Sequence, residues 1–196
     1  MSSRIDDLLE HISQLERELE TEFNRARDAW RYRVEAGRVR FERDVRVAHK
    51  RLRQSIPRFI RESSPLNALT APVIYSMVVP IAILDASFTV YQWICFSLYG
   101  IARVSRGKYI VIDRQHLAYL NAIEKLNCMY CGYANGVFAY VREIAARTEQ
   151  YWCPIRHATR VRGAHAHYRE FVDYGDADGY HRRLPVLRNK LRDKLR

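Results

Sequence analysis

The chain has 196 residues, a formal net charge of +11 and an isoelectric point near 9.7, so it is long enough for one or two domains with a hydrophobic core. Arginine dominates the basic residues, which favours a lipid, nucleic-acid or protein partner that carries negative charge. The eight glycines and six prolines exclude a low-complexity chain. No cleavable signal peptide is predicted, because the first apolar run begins only near residue 66.

Charge is distributed unevenly along the sequence. Residues 1–65 contain 15 Lys/Arg and 12 Asp/Glu, whereas residues 103–196 contain 18 and 9. The stretch between them has a single charged residue, Asp85. We therefore predict a mainly α-helical chain with four parts: an amphipathic helical arm at 1–65, a membrane-inserted hairpin at 66–102, a helical hairpin with a Cys/His set at 103–160 and a basic tail at 161–196.

The arm begins with apolar residues at alternating spacings of three and four, which predicts one apolar seam on a long helix. The seam then shifts by one residue at Phe23 and Trp30 and continues toward Pro57, where a proline ends the helix. A coiled coil through residues 4–52 would bind a protein partner or a second copy; alternatively, the helix folds back on its own chain. The first five seam residues are Ile5, Leu8, Ile12, Leu15 and Leu19.

Residues 66–102 are too long and too apolar for an ordinary core helix, which favours a membrane segment over a buried helical hairpin. Asp85 is expected to cap a second helix, so that the segment turns back as a re-entrant hairpin. The alternative is a single kinked crossing. Basic residues flank both ends, and such residues face the cytoplasm. We therefore expect both termini on the cytoplasmic side of a bacterial inner membrane, with anionic lipid as a partner.

The Cys/His region is predicted to form two helices, over residues 110–127 and 137–152, joined by a turn-rich stretch that includes Gly132 and Gly136. Cys128 and Cys131 lie at this predicted bend. Cys153 and His157 follow the second helix. The set contains three of the four cysteines in the chain, and in a reducing compartment such a set more often holds a metal than a disulfide.

Cys128-x-x-Cys131-Gly132-Tyr133 locally resembles the metal knuckle of rubredoxins and zinc ribbons. The resemblance covers about six residues and implies that the glycine turns amide N–H groups toward thiolate sulfur. The second knuckle of that family, Cys-Pro-x-Cys, is absent, because Cys153-Pro154 is followed by His157. The Cys-x3-His pair also resembles the ligand end of some [2Fe–2S] proteins.

A Cys3His set of Cys128, Cys131, Cys153 and His157 suits tetrahedral zinc, with iron or an iron–sulfur cluster as the alternative. The predicted helix between its halves is an obstacle, since its ends lie about 21 Å apart at 1.5 Å per residue. Either that helix is broken, or two chains share the metal, or the cysteines do not share one. In the third case, an alternative cluster of His116, Glu149, Cys153 and His157 forms at the open end of the hairpin.

The tail is expected to end in a short basic amphipathic helix over residues 182–196, which either lies on lipid or packs on the core. His165 and His167 are expected to be exposed. No nucleophile–base pair or phosphate-binding loop indicates an enzyme. The sequence therefore favours a non-enzymatic, membrane-anchored scaffold or accessory subunit with a structural metal module. Alternatives are a membrane-bound redox protein that uses the CxxC or an iron centre and an Arg-rich nucleic-acid-binding protein, which is disfavoured because lipid explains the charge as well.

Overall fold

The computed structural model describes residues 2–29, 32–35 and 38–192, and the fold is mainly helical, as the sequence predicts. The chain divides into two compact units, Met1–Glu62 with Asp113–Leu126 and Ser63–Ile112 with Asn127–Arg196. The elements are α1 (Ser2–Ala29), β1 (Tyr32–Glu35), β2 (Arg38–Phe41), α2 (Arg43–Arg51), α3 (Ile56–Glu62), α4 (Pro65–Ser76), α5 (Val78–Tyr91), a π-helical turn (Gln92–Phe96), α6 (Ser97–Tyr99), α7 (Ala122–Trp152) and α8 (Ala177–Arg192).

The first unit contains an arm that is shorter than predicted. α1 ends at Ala29 and is followed by an antiparallel pair of strands in which Tyr32 lies opposite Phe41. The prediction of one continuous helix toward Pro57 is therefore wrong, and the shift of the seam near Phe23 precedes this break. Trp30 lies outside the described residues. The seam itself is exposed along α1, as the side chains of Leu8, Ile12, Leu15, Leu19 and Phe23 show.

In the second unit, Pro65–Tyr99 forms one long apolar helix, here called the apolar helix, with a kink at Met77. It is long and apolar enough to cross a membrane. The predicted turn at Asp85 is wrong, because Asp85 lies inside α5 and its carboxylate is paired from the side. The interruption at Met77 fits Pro80, which has no N–H to donate to the Ser76 carbonyl and lies in the first turn of α5. The helix ends at Gly100, whose φ of 67° favours glycine.

α7 contains the second correction, because Ala122–Trp152 is one uninterrupted helix. The expected bend at residues 132–136 is absent, and residues 110–121 are not α-helical. Gly136 is used for packing rather than for a turn. A Cβ built there would lie 2.8 Å from the Ile110 Cα and from the Tyr109 carbonyl oxygen, so glycine lets the segment that follows the apolar helix lie directly on α7.

The core of the second unit lies between the apolar helix, α7 and α8. One cluster gathers around Phe96 and Tyr140, and a second around Ile81 and Val137. α8 begins at Ala177 and packs on this core through Leu187 and Leu191, which are almost fully buried. The described part of the basic tail helix therefore packs on the core, and residues 193–196 lie outside the described part of the chain.

We expect Gly136→Ala to lower the free energy of unfolding by about 1–2 kcal/mol, because overpacking against Tyr109 and Ile110 outweighs the gain in helix propensity. Gly107→Ala is the matched control, since a Cβ at Gly107 meets nothing within 4 Å. Its effect should stay below about 0.5 kcal/mol. Urea unfolding of the full chain measures both, and equal effects of the two substitutions would contradict close packing at Gly136.

Candidate functional site

The apolar helix has an inner face that carries polar side chains, and Asp85 at its centre is 7% exposed. The guanidinium of Arg106 donates to this carboxylate from Nε at 3.1 and 3.2 Å and from NH2 at 2.6 Å. The hydroxyl of Tyr133 on α7 donates to it at 3.0 Å. A buried carboxylate without such partners would be strongly unfavourable. The hydrogen bond to Asp85 in turn raises the pKa of Arg106, so this pair stays ionised.

Gln92 lies further along the same inner face of the helix and is also buried. Its Oε1 accepts from the Val104 N–H at 2.9 Å, and its Nε2 donates to the Val104 carbonyl at 3.3 Å and to the Tyr140 hydroxyl. The hydroxyls of Thr89 and Tyr140 lie 3.3 Å apart. The returning segment 101–112 is thereby held between the apolar helix and α7 with the polar groups of Val104 satisfied.

The opposite face of the apolar helix presents large apolar side chains to solvent along its whole length. In the apolar window that would cross a membrane, only 11% of residues are buried. A monomeric soluble protein rarely exposes so continuous an apolar surface, so this outer face is the candidate functional surface. We define the outer face by the exposed residues Leu69, Val73, Val79, Ile83, Val90, Ile94 and Leu98.

A second polar cluster lies at the end of α7. His167 bridges two residues of the helix, with its Nε2 3.1 Å from Glu143 Oε1 and its Nδ1 2.5 Å from Gln150 Oε1. Arg147 also donates to Glu143 at 2.8 Å. One turn away, His165 Nε2 lies 2.9 Å from Glu149 Oε2. These contacts fasten the loop before α8 to α7.

The expectation that His165 and His167 are exposed is therefore wrong, since their side chains are 15% and 13% exposed. Sequence reasoning missed them because their carboxylate partners lie 16 and 24 residues earlier in the chain. The one available signal was the spacing of Glu143 and Gln150, which lie seven residues, or about two turns, apart on one face of the helix.

The structure separates the predicted Cys3His residues. Cys128 and Cys131 lie one turn apart within α7, and Cys153 follows its end. At 1.5 Å per residue, Cys131 and Cys153 are about 33 Å apart, whereas zinc needs thiolates at about 2.3 Å. Because residues 128–133 are helical, they do not form the knuckle that the local resemblance implies. Within one chain these residues do not form a four-ligand metal site. A metal site shared between two chains stays a prediction.

The alternative cluster is also not assembled as predicted. Glu149 pairs with His165, whereas the His157 ring stacks on Tyr168 and its backbone N–H donates to the Tyr168 hydroxyl. His116 lies in a short 3₁₀ turn of the first unit. Partial desolvation, and then the charge of Glu149, raise the pKa of Cys153, which disfavours the thiolate that a metal binds. In the described part of the chain, no group of three His, Cys, Asp or Glu residues is arranged to hold a metal.

Comparison of the chain with protein-family models, curated proteins and solved structures gave no match. The functional argument therefore depends on the geometry of the two faces of the apolar helix. The inner face holds the helix against the rest of the second unit, and the outer face leaves a long apolar surface exposed.

Acid should destabilise the protein through Glu143. Burial raises the pKa of this carboxyl, but hydrogen bonds from His167 and Arg147 outweigh burial and lower the pKa from 4.5 to about 2. Its stabilising contribution is present above pH 4.5 and is lost as the pH falls toward 2, with a total of roughly 3 kcal/mol. Glu143→Gln should flatten the loss of stability between pH 5 and 2.

Chemical unfolding at a series of pH values measures this loss. Glu10→Gln, at an exposed position of α1, controls for the removal of one carboxylate. If Glu143→Gln and Glu10→Gln give the same pH profile, Glu143 does not carry the acid sensitivity.

Zinc content tests the separation of the cysteines. Because one chain does not bring Cys131 and Cys153 together, monomers isolated by gel filtration should lack stoichiometric zinc, with or without Cys131→Ser. Cys95→Ser is the control, since Cys95 lies in the apolar helix outside the predicted set. Elemental analysis that found stoichiometric zinc in wild-type monomers, lost only in Cys131→Ser, would contradict the continuous α7.

Proposed function

We propose that the protein is a non-enzymatic, membrane-anchored scaffold or accessory subunit whose apolar helix attaches the second unit to a lipid bilayer. One observation carries the proposal: large apolar side chains are exposed over the length of a 35-residue helix, whose buried residues begin only at Ile81. An apolar helix that is covered by protein on one side only partitions to a membrane through the side that has no protein partner.

The side of the membrane is inferred from charge. Exposed basic residues occur on both sides of the apolar helix in the sequence, with Arg58 and Arg61 before it and Arg103, Arg106 and Lys108 after it. Such residues attract anionic lipid and are retained on the cytoplasmic side. Within the proposal, the protein therefore attaches to the cytoplasmic side of its membrane, which we propose is a bacterial inner membrane.

The arm supplies the scaffold part of the proposal. α1 presents its apolar seam to solvent and carries charged residues around it, so the seam has no partner within the described residues. An isolated amphipathic helix gains most of its stability from burial of such a seam against another helix. We propose that α1 binds a helical partner, either a second copy or another protein, at the membrane surface.

Ile83→Glu should weaken binding to anionic vesicles by about tenfold or more. It removes an apolar side chain whose burial in lipid contributes about 1.5–3 kcal/mol, and it adds a charge. Val186→Glu on α8 is the matched control, since Ile83 and Val186 are similarly exposed at 61% and 56%. Flotation of the full chain with vesicles measures the bound fraction. Equal loss in both variants, or no flotation of the wild type, would refute attachment through the outer face.

A further inference from the structure

We infer that the apolar helix lies parallel to the membrane surface, within one leaflet of an anionic bilayer, and does not cross it. This inference rests on the proposed function, because it specifies how the same surface contacts lipid. It differs from both arrangements that the sequence suggests, the re-entrant hairpin and the kinked crossing. Three features of the second unit lead to it: the place of the ion pair, the path of the returning segment and the continuity of the outer face.

The ion pair lies near the middle of the apolar helix. Asp85 is 20 residues after Pro65 and 14 before Tyr99, and Arg106 reaches it while remaining 48% exposed. A perpendicular helix of 35 residues is about 52 Å long, and with its midpoint at the bilayer centre this guanidinium would lie inside a hydrocarbon core of about 30 Å. A partly exposed Arg is strongly unfavourable at that depth. At the headgroup level the same side chain contacts water and phosphate.

The returning segment adds an independent constraint. It runs back along the apolar helix, with Val104 at Gln92, Arg106 at Asp85 and Ile110 at Gly136 on α7. Its only regular structure is a single 3₁₀ turn, Arg106–Lys108. Irregular backbone is tolerated at membrane depth only where protein buries it. Residues 105–108 are exposed, so a crossing helix would carry uncovered backbone and two charges into the lipid.

The outer face is continuous along the helix rather than confined to one end. It is exposed from Leu69 near the start, through Ile83, to Leu98 near the end. The buried residues Ile81, Asp85 and Phe96 lie on the other side. Because protein covers only that other side, the exposed apolar side places the helix in the interface, about 5–10 Å below the headgroups.

The exposed basic residues of the returning segment indicate the lipid class. Arg103 and Lys108 lie on either side of the Asp85–Arg106 pair in the sequence, at the flank of the apolar helix. In the in-plane orientation they reach the level of lipid phosphates. Replacing both by Gln should weaken binding to anionic vesicles by about fivefold per charge removed and leave binding to neutral vesicles unchanged.

Arg160→Gln with Arg162→Gln is the matched control for those charges. These two exposed residues belong to the loop that packs on α7 through His165 and His167. If both double variants lose the same affinity, general positive charge explains binding, and the assignment of the returning segment to the headgroups is wrong.

Depth measurement tests the orientation itself. A fluorophore sensitive to its environment is attached to Leu69→Cys, Ile83→Cys or Leu98→Cys in the full chain with the four native cysteines replaced by alanine. Vesicles contain anionic lipid and quenchers at known depths. In-plane binding predicts the same shallow depth at all three positions. A label at Tyr174→Cys, an exposed residue before α8, should show no quenching.

A deep signal at Ile83 with shallow signals at the other two positions would indicate a crossing or a hairpin, and would overturn the in-plane orientation while the membrane anchor stands. Failure of the wild type to float with vesicles would instead overturn the proposed function. If the cysteine-free background does not bind, a fluorescent amino acid is incorporated at the same three positions in the native background. The same depth criterion then applies.

Discussion

Asp85 is the only charged residue in a stretch of 37, and the arrangement of the second unit depends on how its carboxylate is satisfied. Arg106 binds it with both a Nε and an NH2 group, and Tyr133 donates from α7. The three residues come from the apolar helix, the returning segment and α7, so one buried charge joins all three. Removal of any partner would leave charge or hydrogen-bonding capacity unmatched in a low-dielectric place, which is why the pair fixes the rotation of the helix.

That rotation decides which side of the apolar helix is available to lipid. Because Asp85 and Gln92 lie on the side of the helix that faces α7, the side chains of Ile83, Val90 and Leu98 lie on the opposite side and are exposed. Burial of this outer face against a bilayer and burial of the inner face against protein are then compatible. The same ion pair keeps a charged side chain beside the midpoint of the helix, and the proposed in-plane orientation depends on it.

α7 shows how a correct local pattern led to a wrong arrangement. The glycines at 132 and 136 are typical of a turn, and no local pattern indicated that Gly136 would instead admit the backbone of residues 109–110. The propensity of a segment to form a helix or a turn depends on a few neighbouring residues, whereas the close approach of two segments depends on the whole unit. The same limit applies to His165 and His167, whose hydrogen-bond partners on α7 are distant in sequence. The alternative cluster of His116, Glu149, Cys153 and His157 depended on that bend. The four-ligand set instead needed a break between Cys131 and Cys153, which the continuous α7 does not have.

The sequence by itself determined the mainly helical class, the apolar seam of α1, the apolar segment near residues 66–99 and the amphipathic second half of α7. These features follow from the periodicity and length of hydrophobic runs, which are local properties. Only the tertiary structure decided that Asp85 is paired within a helix, that the outer face is exposed and that Cys131 and Cys153 are far apart. Each of these depends on contacts between residues that are distant in the chain, and no local pattern specifies which distant residue will satisfy a buried charge or fill the space beside a glycine.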